Sequence, residues 1–297
     1  MTSTPSSTED VLPASLCDAV LASLGFARPP ASDLAGLRAI YASWCTRVPF
    51  DNVGKVIALR TDAASPLRAI HAIAFFEAWL AEGIGATCWP SANALYTLLR
   101  SLGFDARRVA AHMQDAGRFN HGTVIVNADR GEWLTDSSLL TGIPLPLTRE
   151  IFIAPDAVFN SEVELDGDTH VVWTHWPTNA AYMPCRVFAG AVTHSYYVER
   201  YEATRESSPF NSRLCARRNR DGEMLMLLGN VRFTKSGRGI ESRDLSSDEI
   251  LDSLRHEFGL AESILDRWIA AGGLAAAFEE YTGPFFPPPT RKPPSQR

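Results

Sequence analysis

The sequence predicts an α+β protein built in three lobes, and three observations predict it. The first third carries apolar residues at helical spacing, the middle third changes to a period of two in short β-rich runs, and the last third mixes both patterns. With 297 residues, 45% hydrophobic and 21% charged, the chain is long enough for a sizeable core, divided at roughly 100 to 200 residues per unit into two or three lobes.

The first lobe reads as a helical bundle. Leu34, Leu37, Ile40 and Tyr41 share one stripe, and Ile70, Ile73, Phe76 and Trp79 share another. In the stretch GIGATCWPSANALYTLLRSLGF, Leu95, Leu98, Leu99 and Leu102 fall at i, i+3, i+4 and i+7, and Gly103 supplies the stop. Pro90 suits the first turn, where its missing N–H costs nothing, so Cys88 sits at the N-terminus of an amphipathic helix.

From Ala106 the runs ARRVAAHM, HGTVIVNA and GEWLTDSS, and later THVVWTHW, PCRVFAGAV and EMLMLLGNVRF, read as short strands of an antiparallel sheet or barrel. LSSDEILDSLRHEFGL opens with a Ser-x-x-Glu cap, places Ile250, Leu254 and Phe258 on one face and stops at Gly259, so a mixed lobe closes the chain. Residues 1 to about 12 are Ser/Thr-rich and the end GPFFPPPTRKPPSQR is too proline-rich for regular structure; both are expected to be loose or laid over the surface.

Charge and cysteine usage narrow the partners. A net charge of -6 with scattered Lys and Arg argues against nucleic acid or a membrane surface and favours a small-molecule substrate. The five cysteines, Cys17, Cys45, Cys88, Cys185 and Cys215, are odd in number, irregularly spaced and without zinc spacing, which predicts a reducing compartment and no structural metal. No basic and apolar leader opens the chain and no run approaches 18 apolar residues, so a cytoplasmic protein is expected.

Cys88 is the candidate nucleophile. Unpaired N–H groups and the helix dipole stabilise a thiolate at a helix start, and an imidazolium lowers its pKa further. Position alone leaves an inert buried thiol equally open. The strands HGTVIVNA and EWLTDSS form a hairpin through Ala128-Asp129-Arg130-Gly131. Pairing Asn127 with Arg130 sets His121 opposite Asp136 on one face and Val124 opposite Trp133 on the other; a one-residue slip would separate the first two. Cys88, His121 and Asp136 then follow the order of a nucleophile, its base and the carboxylate that fixes the base's tautomer. His112 is a weaker candidate base, His170, His175 and His71 read as structural, and His194 and His256 have no partner in the sequence.

Four segments, in this order, resemble the arylamine N-acetyltransferase family from about Leu34 to Gly259: RVPFDNV, TCWPSANALYTLLRSLGF, NHGTVIV with WLTDSSLL, and RYEATRESSPFN. The resemblance implies an α+β fold on a papain- and transglutaminase-like cysteine core: a helical bundle over 1–105 carrying the nucleophile, a β-barrel over 106–200 carrying His and Asp, and an α/β lid over 201–297 with a Pro-rich tail. It implies a ping-pong reaction in which Cys88 takes an acyl group from a coenzyme A thioester, with no metal, and passes it to a small-molecule amine, while backbone N–H groups at Cys88 help to receive the oxyanion. By motif position, Phe50 and Leu139 would line the acyl and acceptor pocket, and Tyr201 and Ser207 would lie against coenzyme A.

The chain also departs from the family pattern. Ile84 stands for the usual Arg before the nucleophile, Asp51 for a Glu, and Ser137-Ser138-Leu139-Leu140 for Val-Gly-Phe-Gly. The last change motivates a variant reading, an amide synthase or cyclase of secondary metabolism fed by an acyl carrier protein. A transglutaminase-like hydrolase shares the Cys, His, Asp order, and a binding protein with a degenerate site is the remaining alternative.

Overall fold

A computed structural model describes residues 10–156, 158–220, 222–280 and 292–297. Most of the Ser/Thr-rich start, and Pro-rich residues 283–291, lie outside these. Residues 10–12 dock: Asp10 pairs with Arg108 at 2.8 Å, the Leu12 N–H donates to Ser101 Oγ, and Leu12 is buried. At the far end, residues 294–296 make a 3-10 turn, and Ser295 bonds Glu162.

Helices α1 (Ala14–Ser23), α2 (Leu34–Arg47), α3 (Val53–Thr61), α4 (Ala72–Glu82) and α5 (Cys88–Ser101) come first, with the two-residue strand β1 (Phe50–Asp51) between α2 and α3. The α2 stripe buries Leu37, Ile40 and Tyr41, and Asp33 caps its start through Gly36 N. On α4 the stripe is rotated: Ala72, Phe75, Phe76 and Trp79 are buried and Ile73 faces solvent, because Ile70 belongs to a separate 3-10 turn and does not set the phase of the helix. α5 corrects the expectation of an amphipathic helix. Residues 88–99 are buried on every side, so it is the central rod of the molecule, with Leu95, Leu98 and Leu99 at 0% exposure each contributing about 1.5–3 kcal/mol. Its polar residues bond inward: Ser91 donates to Ala86 O, and Asn93 donates to Ile70 O and accepts from Arg108 Nε.

The middle of the chain is an antiparallel, barrel-like sheet of β2 (Asp105–Met113), β3 (His121–Ala128), β4 (Gly131–Thr135), β5 (Leu145–Pro146), β6 (Phe152–Ala154), β7 (Ser161–Asp166), β8 (Thr169–His175) and β9 (Tyr182–Val187), in the order β5-β4-β3-β2-β9-β8-β7-β6. β2 and β3 are buried on both faces, which is why their sequences run apolar with little alternation. Ala110, Val124 and Val126 pack with α5 in one core, while Val109, Ala111, Ile125 and Leu134 fill the interior of the sheet.

The last part begins with α6 (His194–Ala203) and continues with β10 (Cys215–Arg220), β11 (Glu223–Leu228), β12 (Val231–Ser236) and β13 (Gly239–Asp244), then α7 (Ser247–Asp252), α8 (Glu262–Ala270) and α9 (Gly273–Ala276). EMLMLLGNVRF is thus a hairpin and not one strand. Ser246 and Glu249 form the expected capping box, but α7 widens into a π turn over Ser253–Glu257 before Gly259. The sheet order is β1-β10-β11-β12-β13, with Phe50 opposite Arg217 and Asp51 opposite Ala216, so the N-terminal segment supplies the first strand of the C-terminal sheet. One face of that sheet, with Ala216, Leu225 and Leu227, packs on α3, α7 and α8; the other, with Cys215, Arg217, Met226 and Leu228, faces a cleft. No helix among the described residues is long and apolar enough to cross a membrane.

Candidate active site

The N-terminus of α5 opens into a cleft of about 660 Å³. Cys88 is the first helical residue; it is 8% exposed, lines the cleft, and its Sγ is 3.9 Å from the Asn120 carbonyl. Thr87 occupies the N-cap without a side-chain cap bond, no acid lies in the first turn, and Pro90 has no N–H. The first-turn N–H groups are therefore not neutralised by a capping side chain at the end of the helix where Cys88 sits.

The segment PFDN holds the approach to this turn. Asp51 accepts the Gly85 N–H at 2.6 Å and the Val53 N–H at 3.0 Å, and Phe50 bridges Ala86. Gly85 lies so close to Pro49 that a Cβ would stand 1.7 Å from its carbonyl oxygen. Burial pushes the Asp51 carboxyl up to about 6, against the two N–H bonds that pull it down. Asn52, fully buried, donates to the carbonyls of Phe210 and Arg213 and accepts the Cys215 N–H, which fixes the opposite wall of the cleft.

His121 and Asp136 meet with Nε2 and Oδ2 at 2.6 Å, 3% and 1% exposed. The hairpin register that brings them together differs from the expected one by two residues: Ala128 pairs with Gly131, Val124 with Thr135 and Val126 with Trp133. The two-residue loop is Asp129-Arg130, both at positive φ (48° and 64°), as a type I′ turn requires; centring it on Ala128 would force alanine's Cβ into the left-handed region. A two-residue slide preserves faces, so His121 and Asp136 still share the interior side, as diagonal and not opposite neighbours. Asp136 lies one residue past β4, where its Oδ1 accepts the Ser138 and Leu139 N–H groups and its carbonyl accepts from Tyr41 Oη.

Burial works against charge on His121, but the Asp136 carboxylate and the hydrogen bonds to Asp136 and Cys88 outweigh it and raise the imidazole to about 10. Burial likewise works against the Asp136 carboxylate, but the imidazolium and the two backbone N–H groups hold it below its ordinary value. Cys185 on β9 joins the cluster: its Sγ, His121 and Asp136 present ligand-type atoms within 4.8 Å of one another. Within this trio His121 Nε2 is bonded to Asp136 Oδ2, and Asp136 Oδ1 accepts two backbone N–H groups.

Phe50, Leu139 and Ser207 line the cleft. Tyr201 is not among them: its ring is 1% exposed, and Lys55 Nζ lies 5.6 Å from the ring centre. Lys55 itself lines the cleft, bonds Thr204 Oγ1 at 2.7 Å, and is lowered to about 8 by burial. Sequence reasoning missed Lys55, Cys185 and Arg217, since nothing in their local patterns announces a partner. Of the other histidines, His112 stacks between Phe119 and Phe188, His170 bonds Thr148 O, His175 packs on Tyr182, and His256 pairs with Asp252. His71 caps the start of α4 as an exposed residue against the ring of His194 and is not the helix-packing residue expected.

The fold and the sequence together define an acyltransferase. A profile of the N-acetyltransferase family matches residues 33–264, and the chain belongs to that family. Among solved structures it is similar to the arylamine N-acetyltransferase from Mycobacterium abscessus (TM-score 0.73, 19% identity, 93% of this chain and 100% of that one) and to that from Salmonella typhimurium (0.72, 18%, 87% and 99%). It is also similar to the Mycobacterium marinum arylamine N-acetyltransferase in complex with CoA (0.75, 17%, 88% and 97%). No curated protein matches the chain by sequence.

Proposed function

We propose that Cys88 is an acyl-carrying nucleophile that takes an acetyl or related group from a coenzyme A thioester and passes it to an amine, with His121 as its base and Asp136 as the carboxylate that orients the base. The observation that carries this reading is the buried His121–Asp136 pair, whose imidazole is acted on by Cys88 at the uncapped start of α5, on the wall of a cleft large enough for a thioester arm.

In this reading the Cys88 thiol gives its proton to His121, and the thiolate attacks the thioester carbonyl. The oxyanion draws on the first-turn N–H groups of α5, and the coenzyme A thiolate leaves with the proton from His121. The amine then attacks the acyl-Cys88 thioester, His121 takes the amine's proton, and the amide departs. Asp136, held by Ser138 and Leu139 N–H and by its bond to Nε2, keeps the other ring nitrogen turned to the sulfur.

The cleft fits the donor chemically. Arg118, Arg200 and Arg213 line it with Ser207, and Glu206 is the one carboxylate among its described lining residues, although the chain as a whole is anionic. Those guanidinium groups suit phosphates, and Phe50, Phe210 and Leu139 suit an apolar acyl or acceptor body. The loop that motivated a carrier-protein donor is largely interior, with Leu139 and Leu140 at 3% and 0% exposure under Arg217 and Asn219.

Intact-mass measurement after mixing with acetyl-coenzyme A tests the reading. The expected result is a gain of one acetyl group, absent from Cys88→Ser and discharged by an added amine. A chain that gains no acyl group from any thioester tried would refute it.

A further inference from the structure

Arg217 and Lys235 are buried cations without a contacting acid: the carboxylates that act on them, Asp136 and Asp156, do so from beyond ion-pair distance, and the two cations repel each other. They are 7% and 4% exposed, and among the described residues neither forms an ion pair. Arg217 donates through Nη2 to the Leu139 carbonyl, while its Nε is buried without a partner. Lys235 has only the carbonyls of Trp176 and Asn179. Buried charges are normally paired, because the desolvation cost of an unpaired one is several kcal/mol. An arginine on the wall of a cleft whose guanidinium makes one hydrogen bond, to a neutral carbonyl, is suited to an anion from outside the chain.

The position of Arg217 identifies which part of a substrate would bring that anion. On one side it sits directly across the ladder from Phe50, whose neighbour in the bridge is Ala86, two residues before Cys88. On the other it grips Leu139, whose N–H is bound by Asp136. Arg217 is thus bracketed by the segments that hold the nucleophile and the orienting acid. It differs in this from Arg118, Arg200 and Arg213, which are exposed or half-buried. Along its own face its neighbours are Phe50 and Met226, both cleft-lining and apolar. A phosphate-bearing donor places its charges far from its thioester carbonyl, so these phosphates do not account for a cation beside the reacting centre.

We propose that the group bound next to Cys88 carries a carboxylate that pairs with the Arg217 guanidinium, its apolar body lying against Phe50 and Met226, so that Arg217 is a specificity determinant for an acidic substrate. The proposal rests on the acyl-transfer reading above for the assignment of that place as the reacting end. A carboxylate there has two sources, the acyl chain of the donor or the amine acceptor.

Binding to the full-length Cys88→Ser chain, which cannot turn over, separates the two and does not depend on catalysis. One calorimetric arm compares 4-aminobenzoate with its methyl ester; the other compares succinyl-pantetheine with butyryl-pantetheine. The acid is expected to bind at least about tenfold tighter than its neutral partner in one arm, and that arm names the source. In Arg217→Met the preference should fall to near unity, and in Arg217→Lys, which keeps the charge without the fork and guards against a misfolded Met variant, it should survive in reduced form. Equal binding of acid and neutral partner in both arms, or an undiminished preference in a folded Arg217→Met chain, overturns the proposal. Failure of the acyl-transfer reading would show separately, as an unmodified Cys88 in the wild-type chain treated with acetyl-coenzyme A.

Discussion

Gly122 and Trp89 are in such close contact that a Cβ on the glycine would stand 2.5 Å from the indole Cε3. Trp89 follows Cys88 and is wedged edge-on against Tyr197 with ring centres 4.9 Å apart; Gly122 follows His121. The contact sets how near the helix bearing the thiol approaches the strand bearing the imidazole. Gly122→Ala is therefore expected to push α5 and β3 apart, at a stability cost of about 1–3 kcal/mol and with a loss in acylation rate on the order of 10². Thermal unfolding and single-turnover acylation check it; a rate that stays at the wild-type value would show that the spacing does not set reactivity.

Asp136→Asn should leave the fold intact while slowing acylation by about 10⁴. The amide oxygen can still accept from Ser138 and Leu139, so its NH2 would face Nε2 and force the proton onto the nitrogen that should receive one from Cys88. Stopped-flow acylation beside a circular-dichroism melt separates the two effects, and undiminished acylation would mean that Asp136 does not orient the base.

The pH dependence of stability has the same sign at two buried sites but falls in two different windows. His121 is raised from 6.5 to about 10, so its contribution is complete below pH 6.5 and is lost as pH rises through 10. The stability difference between the wild type and His121→Gln should shrink over that window. Asp51 is raised from 3.8 to about 6, which favours the folded chain when protonated, so the wild type should lose stability relative to Asp51→Asn as pH rises from 3.8 through 6. Denaturant titrations at several pH values measure both, and a flat difference in either case would contradict the assignment.

Asn52→Ala removes one side chain that joins three backbone groups of the 210–215 segment. The Cys215 N–H and the Phe210 and Arg213 carbonyls would lose their partner, for a loss of at least about 2 kcal/mol. Because Phe210 packs edge-on against Phe50 at 5.2 Å, a rise in KM for the acceptor is expected alongside the lower melting temperature. Kinetics on the folded fraction test this; an unchanged KM would dissociate the wall from substrate binding.

Local pattern made much of the molecule legible. The helix starting at Cys88, the paired strands around His121 and the cap at Ser246 follow from spacing and capping chemistry, which act within a few residues. The hairpin register was misjudged by two because it depends on which residues tolerate positive φ, and Asp129-Arg130 is a weaker signal than the Gly next to it. Leu140 adopts φ 51°, a conformation that a Leu does not announce, in the place where the resembling family has glycine. The pairing of Phe50 with Arg217 and the burial of Lys55 were invisible for a different reason: each is created by segments that meet only in the finished fold, and no period in either segment encodes the other.

The bond between Asn52 and Cys215 spans 163 positions, and the short strand beside Asn52 begins a sheet whose remaining strands come late in the chain. Closing so long a loop is entropically slow, and little local structure rewards it in advance. A nascent chain that has already made the thiol, the imidazole and the carboxylate still lacks the wall that encloses them. The cleft beside Cys88 thus gains its wall of Cys215, Arg217, Met226 and Leu228 only when the C-terminal sheet forms.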